Sequence, residues 1–267
     1  MATALEPNKA KIAKRVIEVF EFFDENSPKA TVMDIVRRYG RPQSSTSELL
    51  ATLVEMGLLY KDSRSRYYSP TPRLAALGVS AQPEIIRNGH LFAFMDRLAH
   101  TTRHTVALFG MVGTSAQVFR LAPGPEPLLH DIGYGACEQL SASAAGLLLL
   151  STLPSEQASR ILWRLNAEAP AAEKFNPAEI RDHVTGLRRQ GYAMGDAGFC
   201  PGLQMVATLL PRGGADRPLA LGLIYPAHAA SIDAEALVAT MNRGVAQCSP
   251  RGEDFAPQAT APLMMAV

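Results

Sequence analysis

Apolar positions in the first part of the chain recur at the spacing of short amphipathic helices. Ile12, Val16, Val19, Phe20 and Phe23 share one stripe, with Lys11, Lys14, Arg15, Glu18 and Glu21 elsewhere, which predicts a helix over residues 9–25. Asn26-Ser27-Pro28 breaks it. Val32, Ile35, Val36 and Tyr39 predict a second helix, stopped by Gly40 at the C-cap position. A tight Gly40-Arg41-Pro42-Gln43 turn follows. Leu49, Leu50, Leu53 and Val54 then mark a third helix ending at Gly57, and Ser45 and Glu48 have the spacing of a capping box with Ser45 as N-cap. Leu58-Leu59-Tyr60-Lys61 and Arg66-Tyr67-Tyr68-Ser69 flank the polar turn Asp62-Ser63-Arg64-Ser65, the pattern of a hairpin, before Pro70 and Pro72 interrupt the chain.

Helix, helix, tight turn, helix, hairpin is the order of a winged helix-turn-helix, whose third helix enters a DNA major groove with the hairpin beside it. That order explains the hydroxyl run Ser44-Ser45-Thr46-Ser47. Hydroxyls are poor helix-interior residues, yet they suit the exposed first turn of a recognition helix, where small donors approach phosphates and base edges closely. The predicted DNA-facing residues are therefore Arg41, Gln43, Ser44, Ser45, Thr46 and Ser47, with Arg64 and Arg66 on the hairpin for phosphate or minor-groove contact. Arg37 and Arg38 also lie near the turn.

Beyond the hairpin the period changes. Ile85, Ile86, Leu91, Phe92, Met95, Leu98 and Ala99 predict a helix over residues 83–103, a candidate linker and dimer contact. Its His100 and His104 have i, i+4 spacing but no third ligand to complete a metal site. Thr105–Gly110 and Gln117–Leu121 read as paired strands, followed by the proline-rich loop 122–130. Three helices are expected at Leu140–Leu153, Ser155–Leu165 and Pro177–Gln190, the last closed by Gly191. Strands are expected at Tyr192–Met194, Leu203–Pro211 and Pro218–Pro226, the last two joined by a turn at 212–216. A final helix spans Ile232–Cys248, and the tail 249–267 is expected to be loose. The fold class is α+β, with a mostly antiparallel sheet and helices packed against it. The expected domains are 1–80, a linker helix at 81–104, 105–248, and the tail.

Charge sharpens this division. The 267-residue chain has a formal net charge of +1, but residues 1–80 carry 12 basic against 9 acidic side chains, and the remainder 14 against 16. A basic, DNA-facing N-terminal domain joined to a near-neutral one fits that asymmetry. Cys137, Cys200 and Cys248 are odd in number and far apart, which argues against a disulfide framework or zinc site and for a reducing cytoplasm. The N-terminal stretch lacks the apolar core of a signal peptide, and the run ASAAGLLLLSTL at 142–153 is too short to span a bilayer.

Several stretches in order resemble the IclR-type transcriptional regulators over nearly the whole length. They are TVMDIVRRYGRPQSSTSELLATLVEMGLLYKD, then YYSPTPRLAALG, the apolar helix with LPSEQ, and GLRRQGYAMGDAGFCPGLQMVATLLP. The resemblance implies a GAF-like effector-binding domain, a dimer or dimer of dimers, and DNA binding controlled by a small molecule. Departures accompany it. Glu48 stands where relatives usually carry Arg, Ser143-Ala144-Ala145-Gly146 replaces a Gly-Lys-Ala-type helix start, and Gly195-Asp196 follows GYA where an acidic residue often begins the segment. Carried over by position, the effector pocket comprises Ser143, Ala144, Asp196, Leu203, Met205, Leu223 and Tyr225. These positions are mostly apolar here, which implies a larger, apolar or aromatic effector.

The chain carries no nucleophile elbow, phosphate-binding loop or zinc-protease motif. Cys200 with His183 or His228 is the nearest approach to a nucleophilic set. The rival class is a winged-helix module fused to a small-molecule-processing enzyme domain. The sequence points instead to a cytoplasmic DNA-binding regulator without cofactor or metal. As a homo-oligomer it would read a near-palindromic double-stranded operator under effector control.

Overall fold

The structure, a computed structural model, describes residues 7–23, 27–126, 132–133, 135–212, 217–228 and 233–248. The expected loose tail, most of the 212–216 turn, the last part of the 122–130 loop and the start of the final predicted helix lie outside them. The chain divides into two compact units, Met1–Gln82 and Pro83–Val267.

In the first unit α1 (Pro7–Glu21), α2 (Val32–Tyr39) and α3 (Gln43–Glu55) precede a hairpin of β1 (Leu59–Lys61) and β2 (Tyr68–Pro70), and α4 (Pro72–Gly78) follows it. Val19, Ile35, Leu50, Leu53, Leu59 and Tyr68 form the buried centre. Ile12, expected on the inner stripe of α1, is 57% exposed. Thr31 starts α2 with a complete capping box: its hydroxyl accepts from the Asp34 N–H, and the Asp34 carboxylate accepts from the Thr31 N–H at 2.8 Å. The Thr31 N–H and the Thr31 hydroxyl, both donating to the Asp34 carboxylate, hold that carboxyl below its ordinary pKa. Gly40 ends α2 with φ +61°, a left-handed turn that favours glycine and directs the chain into α3.

The second unit is a six-stranded antiparallel sheet in the order β5-β4-β3-β8-β7-β6. Its strands are β3 (Thr105–Val112), β4 (Ser115–Ala122), β5 (Cys137–Gln139), β6 (Tyr192–Asp196), β7 (Leu203–Leu209) and β8 (Leu219–Pro226). One face carries α7 (Ala144–Ser151), with α8 (Ser155–Glu168) and α9 (Pro177–Gln190) around it. The other carries α6 (His90–Thr102) and α10 (Ala234–Cys248). The central strands β3 and β8 are buried on both sides, so they read as continuous apolar runs rather than as alternation.

The helix predicted over 83–103 is two helices. A short α5 (Glu84–Arg87) ends at Asn88, and Gly89 with φ +74° turns the chain into α6. Asn88 fixes the break, donating to the Cys248 carbonyl at 3.0 Å and accepting from the His90 N–H at 3.0 Å. Leu91, Met95, Leu98 and Ala99 of α6 pack into the core under the sheet. The expected apolar helix starts late, at Ala144, because Ser143 caps it by accepting from the Gly146 N–H. The small edge strand β5 had no strand pattern in the sequence.

Gly244 of α10 lies directly against Phe94 of α6. A Cβ there would lie 2.0 Å from the Phe94 ring, which is itself buried. Gly244→Ala, which favours an isolated helix, is expected to destabilise the C-terminal unit by about 1–3 kcal/mol through overpacking. Urea unfolding of the variant checks this.

Candidate DNA-reading and effector sites

Helix α3 begins three residues earlier than the capping box predicts. Pro42 is its N-cap and makes no side-chain cap, so Ser45 is not an N-cap but lies within the first turn. The hydroxyls of Ser45 and Thr46 donate back to the Pro42 carbonyl at 3.3 and 2.9 Å. Thr46 is 2% exposed and faces the bundle, so its side chain is withdrawn from the surface on which it was expected. Gln43, Ser44, Ser47 and Glu48 are exposed, and Ala51, Thr52 and Glu55 continue the same outward face. That face carries no Lys or Arg.

Two arginines from the same region are engaged within the bundle. Arg15 of α1 donates to the Ser45 hydroxyl at 3.1 Å. Arg41 forms a two-pronged pair with Glu18 of α1, its closer contact at 2.7 Å, where the Glu18 side chain is only 12% exposed. The guanidinium that the sequence assigns to DNA is thus held by a carboxylate of its own chain. The exposed cations of this unit include Arg37 and Arg38 on α2 and Lys61, Arg64 and Arg66 on the hairpin, with Lys11, Lys14, Lys29 and Arg73 elsewhere. Asp62 shapes that hairpin, accepting from the backbone N–H of Arg64 at 2.8 Å and of Ser65 at 3.3 Å. Arg66 takes a left-handed φ of +59°.

In the second unit, Ser143, Ala144, Leu203 and Met205 come together beneath α7, each at most 3% exposed. Phe109 lies in the same layer, and the Phe199 ring stacks on it with centroids 6.1 Å apart. The segment 197–202 covers this cluster. Gly198 (φ +88°) and Gly202 (φ +83°) flank its centre, and a Cβ on Gly198 would lie 2.9 Å from Ser143 Cβ.

The other three predicted pocket residues are elsewhere. Leu223 and Tyr225 belong to the opposite layer, under α6 and α10. Met205 pairs with Ile224, so the β8 side chain that shares its face is Ile224, and the predicted residues on β8 are out of phase by one position. Asp196 is exposed at the end of β6 and accepts from Gln204 at 2.6 Å, again on the face away from α7. Sequence alternation within β8 alone gives no way to choose between two apolar faces. Glu138, Phe199 and Phe109, which join the cluster, carried no recognised pattern.

The residues weighed for catalysis or metal do not assemble. His183 and His228 are exposed, and the Cys200 thiol is pushed up by burial and by the nearby Glu138 carboxylate, which keeps it protonated. His104 lies beyond the end of α6 with its ring 6.0 Å from that of Tyr225, and burial lowers its pKa. No cluster of metal-ligating side chains occurs among the described residues. No described helix is long and apolar enough to cross a membrane.

Residues 13–63 match the IclR helix-turn-helix domain, and residues 85–211 match the bacterial transcriptional regulator IclR C-terminal domain. The acetate operon repressor of Salmonella typhimurium is 21% identical over 78% of this chain and 77% of its own length. The HTH-type transcriptional regulator Rv1719 of Mycobacterium tuberculosis is 24% identical over 82% and 83%. An IclR-type regulator from Alicyclobacillus acidocaldarius has the same fold with a TM-score of 0.59 at 21% identity, covering 91% of this chain and 98% of that one. An IclR homolog from Microbacterium hydrocarbonoxydans, complexed with 4-hydroxybenzoate, gives 0.58 at 18% identity, covering 89% and 97%. With both of its units matched in order, the chain belongs to the IclR family of transcriptional regulators.

Proposed function

We propose that the N-terminal unit reads operator DNA through the outward face of α3 and the hairpin, and that an apolar or aromatic effector bound beneath α7 governs that binding. The carrying observation is the exposed first turn of α3, where Gln43, Ser44 and Ser47 face outward in the same unit as Arg64 and Arg66. The two groups have different work. Small polar side chains on α3 touch base edges, and the hairpin arginines take phosphates. Ser45 and Thr46 support the helix from behind. Two such units in a homodimer, or in a dimer of dimers, would read the halves of a near-palindrome.

The effector reading rests on the apolar lining around Ser143, Ala144, Leu203 and Met205 and on the stacked Phe109 and Phe199 rings. A relative complexed with 4-hydroxybenzoate supports an aromatic ligand of that size. Effector binding would alter the spacing of paired N-terminal units through the segment after Pro83. Homologues named as repressors and regulators set aside the enzyme-fusion alternative.

Replacing both Arg64 and Arg66 by Ala is expected to weaken binding to operator and unrelated DNA alike. It should flatten the dependence of log K on log salt by about 0.9 per lost phosphate contact. Binding measured from low to moderate salt tests this, and an unchanged slope removes the hairpin from the interface. Isothermal titration against aromatic compounds and short keto acids tests the effector. Binding of the keto acids alone overturns the aromatic reading.

A further inference from the structure

The edge strand β5 carries a carboxylate on its inner side. Glu138 lies directly opposite Ala116 in the antiparallel register. Opposed residues share a face, and Ala116 is wholly buried in the layer under α7. The Glu138 side chain therefore points inward and is half-buried, whereas its neighbours Cys137 and Gln139 are exposed. Its Cγ lies 3.3 Å from the point where a Cβ on Gly198 would stand, and that point is 2.9 Å from Ser143 Cβ and 3.0 Å from the Ala142 carbonyl. Glu138, the Ser143 cap and the covering segment 197–202 thus meet at one place.

Nothing described on that inner face balances the charge. The ion pairs among the described residues do not include Glu138. The backbone N–H of Gln139 supplies one hydrogen bond to its carboxylate. A half-buried carboxylate on the face of Ala116, beside Ser143 and segment 197–202, is costly without a partner, and a second carboxylate brought beside it is costlier still. A ligand with a hydroxyl or ammonium donor would recover part of that cost.

We infer that Glu138 sets the charge of the effector: the site beneath segment 197–202 takes an apolar or aromatic body bearing a hydrogen-bond donor, and rejects one whose carboxylate faces Glu138. This inference rests on the effector site proposed above. It makes Glu138 a specificity-determining residue and distinguishes this chain's pocket from one built for aromatic acids.

The test uses the full chain and three probes that share a ring and differ in the charge of the head group: benzyl alcohol, benzylamine and benzoate. Isothermal titration is expected to give benzyl alcohol and benzylamine at least tenfold tighter binding than benzoate. In Glu138→Gln the benzoate affinity should rise tenfold or more and that of benzylamine should fall. Hydrogen exchange with each probe at saturation locates the site and should show protection at residues 197–205. Equal affinities for the three probes in the unaltered protein, with protection at 197–205, overturn the inference and leave the effector site standing. Binding without protection there overturns the site itself, and the inference with it. No binding of any probe at millimolar concentration overturns the inferred ligand class. If Glu138 serves only as an inward charge that keeps an edge strand from pairing with another sheet, Glu138→Gln would promote self-association and leave the probe ranking unchanged. That result also overturns the inference, and because the ranking in the unaltered protein needs no variant, it holds even if the variant fails to fold.

Discussion

A pleated strand sends successive side chains to opposite faces, and in the C-terminal unit both faces are covered. That constraint determines almost everything else about the unit. β3 and β8 are apolar at nearly every position because α7 lies on one side and α6 with α10 on the other. It also limits which residues can share a cavity. Met205 and Leu203 look toward α7, with Ile224 beside them, while Leu223 and Tyr225 look toward α6 and α10. The backbone at Gly222 shows how tightly the first side is filled: a Cβ there would stand 2.8 Å from both the Met205 sulfur and the Phe109 ring. The sheet centre under α7 is therefore filled by side chains.

The N-terminal unit solves a different problem. It must present the start of α3 outward while holding the helix in one orientation. The outward residues are small and polar, and the hold comes from behind and from the side. Thr46 anchors the first turn to the Pro42 carbonyl, Arg15 reaches Ser45, and Glu18 grips Arg41. Charge is thereby divided by position. The outer face of α3 has no cation, whereas α2 and the hairpin carry exposed ones.

The fold was largely legible because its elements have strong local signals. Helical spacing located α2 and α9 to the residue, and Gly40 and Gly191 mark their ends with left-handed backbone. Paired β3 and β4 followed from two apolar, β-prone runs joined by a short connection. The failures share a physical origin in choices made by tertiary packing. Asn88 and Gly89 divide a stretch whose apolar spacing is continuous, because Asn88 finds its partner 160 residues away at Cys248. The hydroxyl run offered several possible caps, and proline at 42 decided among them by starting the helix before Ser45. The capping box that does form joins Thr31 and Asp34, a T-x-x-D whose acid is shorter than the Glu or Gln of the usual signature. On the site side, the tight α7 start and β7 were reachable by position, but the phase of β8 was not, since both of its faces are apolar.

Glu18 and Arg41 have a consequence for the thermodynamics of recognition. Their contact, together with the Arg15 bond to Ser45, holds the start of α3 in one arrangement in the free chain, so in the proposed reading of DNA association would not have to spend entropy on orienting it. On that proposal a preformed helix start would discriminate by fit: a mismatched sequence would meet a helix that does not shift to rescue lost hydrogen bonds, leaving polar groups at the contact unpaired.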